Sequence, residues 1–162
     1  ANPRKRTAVM TVARELATLL ARAQPRTAPA IILEGSDALR FHGEPADLED
    51  MLGNLMENAC KWARGGVRVE AGLEGDGLRI RVEDDGPGID PDSLERVLQR
   101  GVRLDSTTPG SGLGLSIVQA LAEAHGGSLA LANRESGGLS ATLELPGSLA
   151  SSREKSTHPG AI

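Results

Sequence analysis

Aromatic residues are almost missing from this 162-residue chain: Phe41 and Trp62 are the only two, and there is no tyrosine. Ring packing therefore cannot build the core, and Leu, Ile, Val, Ala and Met must do so. Cysteine is equally scarce. Cys60 stands alone, which excludes an intramolecular disulfide and fits a reducing compartment. It falls within an apolar helical pattern and reads as a packed thiol rather than a reactive one. No apolar run approaches the length of a bilayer span, and no secretory leader is visible, so this segment is expected outside the membrane. An excess of basic charge is missing too. The formal net charge is −4, which argues against nucleic acid as a partner, because phosphate backbones require a basic footprint. The basic residues that do cluster (Arg4, Lys5, Arg6, Arg14, Arg22 and Arg26, against Glu15) read as a solvated helix face. The balance of 39% hydrophobic and 25% charged residues indicates a folded domain, and the length suits one core.

Residues 4–23 read as a helix, with Val9, Val12, Ala13, Leu16, Leu19, Leu20 and Ala23 at helical spacing and Pro25 and Pro29 beyond its end. Residues 31–33 and 39–42 read as short strands. Gly43 breaks the chain, and Pro45 fits the first turn of a second helix that runs to about Ala63, where Gly65-Gly66 stops it. Residues 67–71 and 78–82 alternate apolar with polar side chains around the turn-rich Glu74-Gly75-Asp76-Gly77, which predicts a hairpin with one buried face. Residues 84–112 are rich in glycine and proline, with a short helical piece near 93–99; so long a connection is commonly a lid or disordered. A third helix is expected over about 113–125, with Gly126 as its stop. Residues 128–132 and 140–145 form a last hairpin, and the chain from Pro146 onward reads as a loose tail. The sum is an α/β two-layer sandwich, a mixed sheet with three main helices on one face. One domain over 4–146 and a disordered tail over 147–162 are expected.

Three segments carry chemistry. On the second helix Asn54, Asn58 and Lys61 fall in one narrow stripe, beside an apolar face of Leu48, Met51, Leu52, Leu55 and Ala59. The stripe reads equally as a polar site or as a hydrogen-bonded solvent face. Next comes Glu83-Asp84-Asp85-Gly86-Pro87-Gly88-Ile89. Glycine there lets the backbone approach a flat ligand, and a carboxylate can accept from an amine such as that of adenine; the same letters also make a plain turn. Finally Pro109-Gly110-Ser111-Gly112-Leu113-Gly114-Leu115 opens the third helix, where exposed N–H groups suit phosphate. It is neither a Walker loop, for want of the Gly-Lys-Ser/Thr ending, nor the dinucleotide fingerprint, because a long loop precedes it. A flexible hinge is the other reading.

In order, the three segments resemble the N, G1 and G2 boxes of the Bergerat-type ATPase and kinase superfamily, which includes histidine kinases, gyrase-type and Hsp90-type ATPases, and anti-sigma-factor serine kinases. The likeness is greatest to sensor histidine kinases of the PhoQ and EnvZ type, on residues 54–62 and 82–89, and it runs from about residue 12 to 145. The resemblance implies the Bergerat fold with a flexible ATP lid over residues 90–110, and ATP and Mg²⁺ as cofactors. It implies Asn58 as the metal ligand, Asn54 and Lys61 near the phosphates, and Asp84 on the adenine amino group. Gly86 and Gly88 would let the base lie close, and Trp62, where many relatives have Tyr, would flank adenine or ribose. Arg103 would reach the phosphates, and Gly110, Gly112, Leu113 and Gly114 would hinge the lid and present N–H groups. Asn54, Lys61 and Arg103 form the implied catalytic set.

The sequence departs from the pattern in three places. Leu98 stands where the lid usually has Phe, and Thr108 stands where PhoQ-like kinases have a second arginine. No histidine has the phosphoacceptor context: His42 lies between a strand and a helix, His125 ends a helix, and His158 lies in the tail. The resemblance therefore implies a catalytic part that is inactive alone. Its partners would be a histidine-containing dimerisation domain of the same parent and, downstream, a response regulator. A monomeric fragment is expected, from a homodimeric inner-membrane receptor with this part in the cytoplasm. Gyrase-like and Hsp90-like ATPases carry Glu at the position of Asn54, and Asn cannot activate water as that Glu does. Phosphoryl transfer is favoured over hydrolysis. An anti-sigma-type serine kinase and a non-catalytic nucleotide-binding module are the alternatives.

Overall fold

The computed structural model describes residues 5–97 and 113–150. Strand β1 (Arg6–Ala8) leads directly into helix α1 (Val9–Ala23), followed by β2 (Ala30–Glu34), β3 (Leu39–His42) and α2 (Pro45–Trp62). The hairpin β4 (Gly66–Glu74) and β5 (Gly77–Asp84) comes next, then a short α3 (Pro91–Val97). Helix α4 (Leu113–Ala124) and the hairpin β6 (Ser128–Asn133) and β7 (Leu139–Leu149) complete the described chain.

The strands form a seven-stranded sheet in the order β1-β3-β7-β5-β4-β2, with β6 also paired to β7. Only β2 and β4 run parallel; the remaining pairs are antiparallel. The period-two alternation of β4 and β5 sends Val67, Val69, Leu78, Ile80 and Val82 into the core. Their neighbours face solvent and pair across strands, as in Arg68–Glu34 at 2.7 Å and Arg79–Glu144 at 3.0 Å. Helices α1, α2 and α4 cover the apolar face. The expected buried face of α2 (Leu48, Met51, Leu52, Leu55, Ala59) is buried, with Met56 added; each fully buried leucine contributes about 1.5–3 kcal/mol. Phe41 occupies the aromatic slot of the core and is completely buried. The expected two-layer sandwich is therefore observed.

Three boundaries differ from the sequence expectation. The helix expected from residue 4 starts at Val9, because Arg6–Ala8 pair antiparallel with Arg40–His42 and the buried Thr7 hydroxyl donates to the Gly43 carbonyl at 2.8 Å. Basic residues tolerate a helix, so the sequence held no stop signal there; on α1, Leu19 is also 62% exposed rather than buried. Strand β7 runs through Pro146 to Leu149, past the point where the tail was expected. Near Pro146 it passes from β5 to β3, so a residue without an N–H sits where the strand changes partner. Helix α4 stops at Gly126 as expected, in a Schellman motif: Gly126 has φ +78, Gly127 N–H donates to Ala122 at 2.8 Å, and Gly126 N–H donates to Glu123 at 2.9 Å. Residues 151–162 lie outside the described residues. Among the described residues no helix is long and apolar enough to cross a membrane.

Candidate functional site

The polar stripe of α2 meets the start of α4. Asn54 donates from its amide nitrogen to the Asp50 carbonyl at 2.6 Å, which fixes the side chain. Its oxygen faces Gly114, where an added side-chain carbon would stand only 3.1 Å away. Glycine thus brings the first turn of α4 against Asn54, and two of the three sequence segments come together. Asn58, one turn on, makes no hydrogen bond to a described residue. Lys61 sits at the edge of the stripe nearest α1. Its ammonium lies 5.4 Å from the Trp62 ring centre, a cation–π contact. Lys61 also borders a cleft of about 590 Å³ lined by Leu20, Gln24, Thr27, Glu57 and Cys60. Trp62 ends the helix with 37% of its surface exposed.

The second segment closes on the end of this helix. Asp84 is 3% exposed at the end of β5. Its Oδ1 accepts from the Gly86 N–H at 2.8 Å and, more weakly, from the Leu139 N–H at 3.4 Å. Its Oδ2 makes no hydrogen bond among the described residues. Burial pushes the carboxyl above its usual range, against the pull of the Gly86 and Leu139 amides; Asp85 adds to the rise and Arg134 opposes it. Gly86 packs on the Trp62 carbonyl so closely that no side chain fits. Asp84 and Trp62 are thereby held side by side. Gly88 has φ +76, which only glycine adopts readily.

Several residues that hold the site were not singled out in the sequence. Asp85 accepts from the N–H groups of Arg64 (2.7 Å), Gly65 (3.0 Å) and Gly66 (3.1 Å), so an anion fills a nest of consecutive amides and ties β5 to the end of α2. The Gly65 and Gly66 amides hold its carboxyl below the ordinary range. The pair Asn133–Arg134 also grips the second segment. Acidic Asp85 beside Gly65-Gly66 was a usable signal only once the two were known to be adjacent.

Leu113 opens α4, whereas Arg103, Gly110 and Gly112 lie outside the described residues, as do Leu98, Thr108 and His158. Cys60 is half-buried, and its thiol is pushed up by burial and then by Glu57, in keeping with a packed side chain. His42 and His125 both have structural partners, Ser148 Oγ at 2.8 Å and Asp47 Oδ2 at 3.0 Å. Among the described residues no cluster of three His, Cys, Asp or Glu side chains could hold a metal ion.

An asparagine stripe, a half-free buried carboxylate beside a tryptophan and a glycine-opened helix, on a helix-covered mixed sheet, define a Bergerat-type nucleotide-binding module. Residues 43–149 match the family described as histidine kinase-, DNA gyrase B-, and HSP90-like ATPase, and the chain belongs to that family; this membership implies ATP binding. The chain is 50% identical over 109 residues to the sensor protein kinase CarS of Pseudomonas aeruginosa, covering 67% of this chain and 24% of that protein. It is 36% identical over 108 residues to the virulence sensor histidine kinase PhoQ of Salmonella typhimurium, covering 67% of this chain and 22% of that protein. It therefore spans about a quarter of the length of these curated relatives. Among solved structures it is similar to the mycobacterial sensor histidine kinase MprB, with TM-score 0.75 and 25% identity over 90% of this chain and 99% of that one. The catalytic domain of histidine kinase ThkA shares the fold, with TM-score 0.77 and 24% identity over 88% of this chain and 94% of that one.

Proposed function

We propose that this chain is the ATP-binding catalytic domain of a two-component sensor histidine kinase. It would transfer the γ-phosphoryl group to a histidine on a separate dimerisation domain of the same parent. The placement of Asn54, with its oxygen against Gly114, carries this reading. An amide beside the phosphate end of α4 cannot take a proton from water, so the bound γ-phosphoryl group is kept for another nucleophile.

Each residue has a physical role in this reading. Asp84, anchored through Oδ1, accepts the adenine amino group on Oδ2, and Gly86 and Gly88 leave room for the base beside Trp62. The N–H groups at the start of α4, from Leu113 and Gly114, face the phosphates, where the helix dipole favours negative charge. Asn54 and Lys61 flank the phosphates, and the lysine neutralises charge as the β–γ bond loosens. Arg103, with Gly110 and Gly112, is assigned to the lid by resemblance alone and adds a second cation. The Asn58 carboxamide fits Mg²⁺, because it offers an oxygen with no hydrogen-bond partner among the described residues and the ion prefers oxygen ligands. Held there, the ion would supply positive charge that offsets the phosphates. A neutral imidazole nitrogen of the partner domain attacks phosphorus, the bond from phosphorus to the bridging oxygen breaks, and ADP leaves.

In this reading the domain runs from about residue 4 through β7 and is monomeric. The parent is a homodimeric inner-membrane receptor with this part in the cytoplasm, signalling to a response regulator. The test is to mix this chain with the histidine-containing hairpin of its parent and γ-labelled ATP. Acid-labile, alkali-stable label on the hairpin supports the proposal. Label on serine, or free phosphate alone, refutes it.

A further inference from the structure

We infer that Asn133 and Arg134, at the junction of β6 and its turn, are positioning residues for adenine recognition that grip the Asp84–Ile89 loop at both ends. This rests on the reading of Asp84 as the acceptor for the base.

The geometry is a two-point clamp. At one end the Arg134 guanidinium donates to the Asp84 carbonyl at 2.9 Å and lies 3.5 Å from the Glu83 carboxylate. At the other end the Asn133 side chain reproduces a strand pairing with Ile89: its oxygen accepts the Ile89 N–H at 2.8 Å, and its amide donates to the Ile89 carbonyl at 2.6 Å. Between these ends lie only Asp85, Gly86, Pro87 and Gly88. A side-chain carbon at Gly88 would stand 2.6 Å from the Asn133 oxygen, so the asparagine fills the space that glycine leaves.

The turn that presents the clamp is itself fixed. Arg134 N–H donates to the Gly138 carbonyl at 2.8 Å, and Gly137 N–H donates to the Arg134 carbonyl at 3.1 Å. Gly137 and Gly138 have φ +102 and +98. Gly138 packs on the Asp84 carbonyl with no room for a side chain, and Leu139 supplies the second amide to Asp84 Oδ1.

Beyond Asp84, the last residue of β5, the loop has no regular secondary structure, so its order must come from elsewhere. Hydrogen bonds at both ends remove conformations that would otherwise be lost on binding, and such preorganisation appears as affinity. Because the Arg134 contact is to the residue bearing the base acceptor, loosening it should blur the choice of base as well as weaken binding.

The experiment compares ATP and GTP affinities by calorimetry, together with thermal unfolding, for the wild-type chain, Asp84→Asn, Asn133→Ala and Arg134→Ala. The expected result is that Asp84→Asn removes the preference for ATP. Each clamp variant should lower ATP affinity about ten-fold and shift the ATP:GTP ratio toward one, with partial recovery in Arg134→Lys and none in Asn133→Asp, whose carboxylate cannot donate to the Ile89 carbonyl. Clamp variants that keep wild-type affinity and ratio while Asp84→Asn loses them overturn the clamp alone. Equal loss of ATP and GTP with a fall in melting temperature also overturns it, because that is a structural effect. An unchanged ratio in Asp84→Asn overturns the base-acceptor reading, and the clamp with it. Should an alanine variant fail to fold, the Asp and Lys variants decide by the same criteria.

Discussion

His125 Nε2 lies 3.0 Å from Asp47 Oδ2. Asp47 is in the first turn of α2 and His125 follows the last turn of α4, so the pair joins these helices at the end remote from Asn54 and Gly114. The imidazole is 3% exposed and stands edge-on to Phe41, with ring centres 5.0 Å apart. A carboxylate at a helix start suits the local dipole.

Removing this pair should destabilise the domain. His125→Ala leaves a cavity beside Phe41 and an unpaired carboxylate, at a cost of about 2–4 kcal/mol. Urea unfolding of His125→Ala, Asp47→Ala and the double variant measures it. The double variant should lose less than the sum of the two single losses; strict additivity would mean the residues are not coupled.

Asp84→Asn should stabilise the unliganded domain while removing adenine recognition, a trade common at binding sites. Burial raises the Asp84 carboxyl above its unfolded value, so the folded state holds the proton more tightly. The stability this lends is complete below the unfolded pKa, about 3.9, and is lost as pH rises through the folded one. Asparagine does not titrate. The melting temperature of Asp84→Asn minus that of wild type should therefore grow from acid toward neutral pH and then level off. A difference that is flat or shrinks across that range would contradict the assignment.

Trp62 should report nucleotide binding. It is the chain's only tryptophan, with no tyrosine to interfere. The residue is partly exposed, and its carbonyl touches Gly86 of the Asp84–Ile89 loop. Emission should change saturably on titration with ATP or a non-hydrolysable analogue. Flat emission alongside calorimetric saturation would place the ring away from the base.

Local patterns were legible in the sequence and distant pairings were not. The buried face of α2 follows from apolar spacing at 3.6 residues, and the β4–β5 hairpin follows from alternation at two. The three boxes could carry a family resemblance because each is contiguous. By contrast, β1 escaped because three residues without a periodic signal gain strand geometry only by pairing with β3, more than thirty residues away. The continuation of β7 was hidden by Pro146, a reasonable stop signal until β3 is seen to take over as partner. Asp85 and Asn133 escaped for the same reason: their partners at residues 64–66 and Ile89 become neighbours only in the folded chain.

ATP should bind across the α2 stripe and the Asp84 loop, with Asn58 holding Mg²⁺. Calorimetric titration of ATP, with Mg²⁺ and with chelator, into wild type and Asn58→Ala tests it most directly. Wild type should bind at one site, more tightly with Mg²⁺. Asn58→Ala, with an unchanged circular dichroism spectrum, should lose the Mg²⁺ enhancement and bind MgATP at least about ten-fold more weakly. Wild-type MgATP affinity in Asn58→Ala would show that Asn58 does not hold the ion, and no saturable ATP binding by the wild-type chain would show that nucleotide does not bind across these two segments.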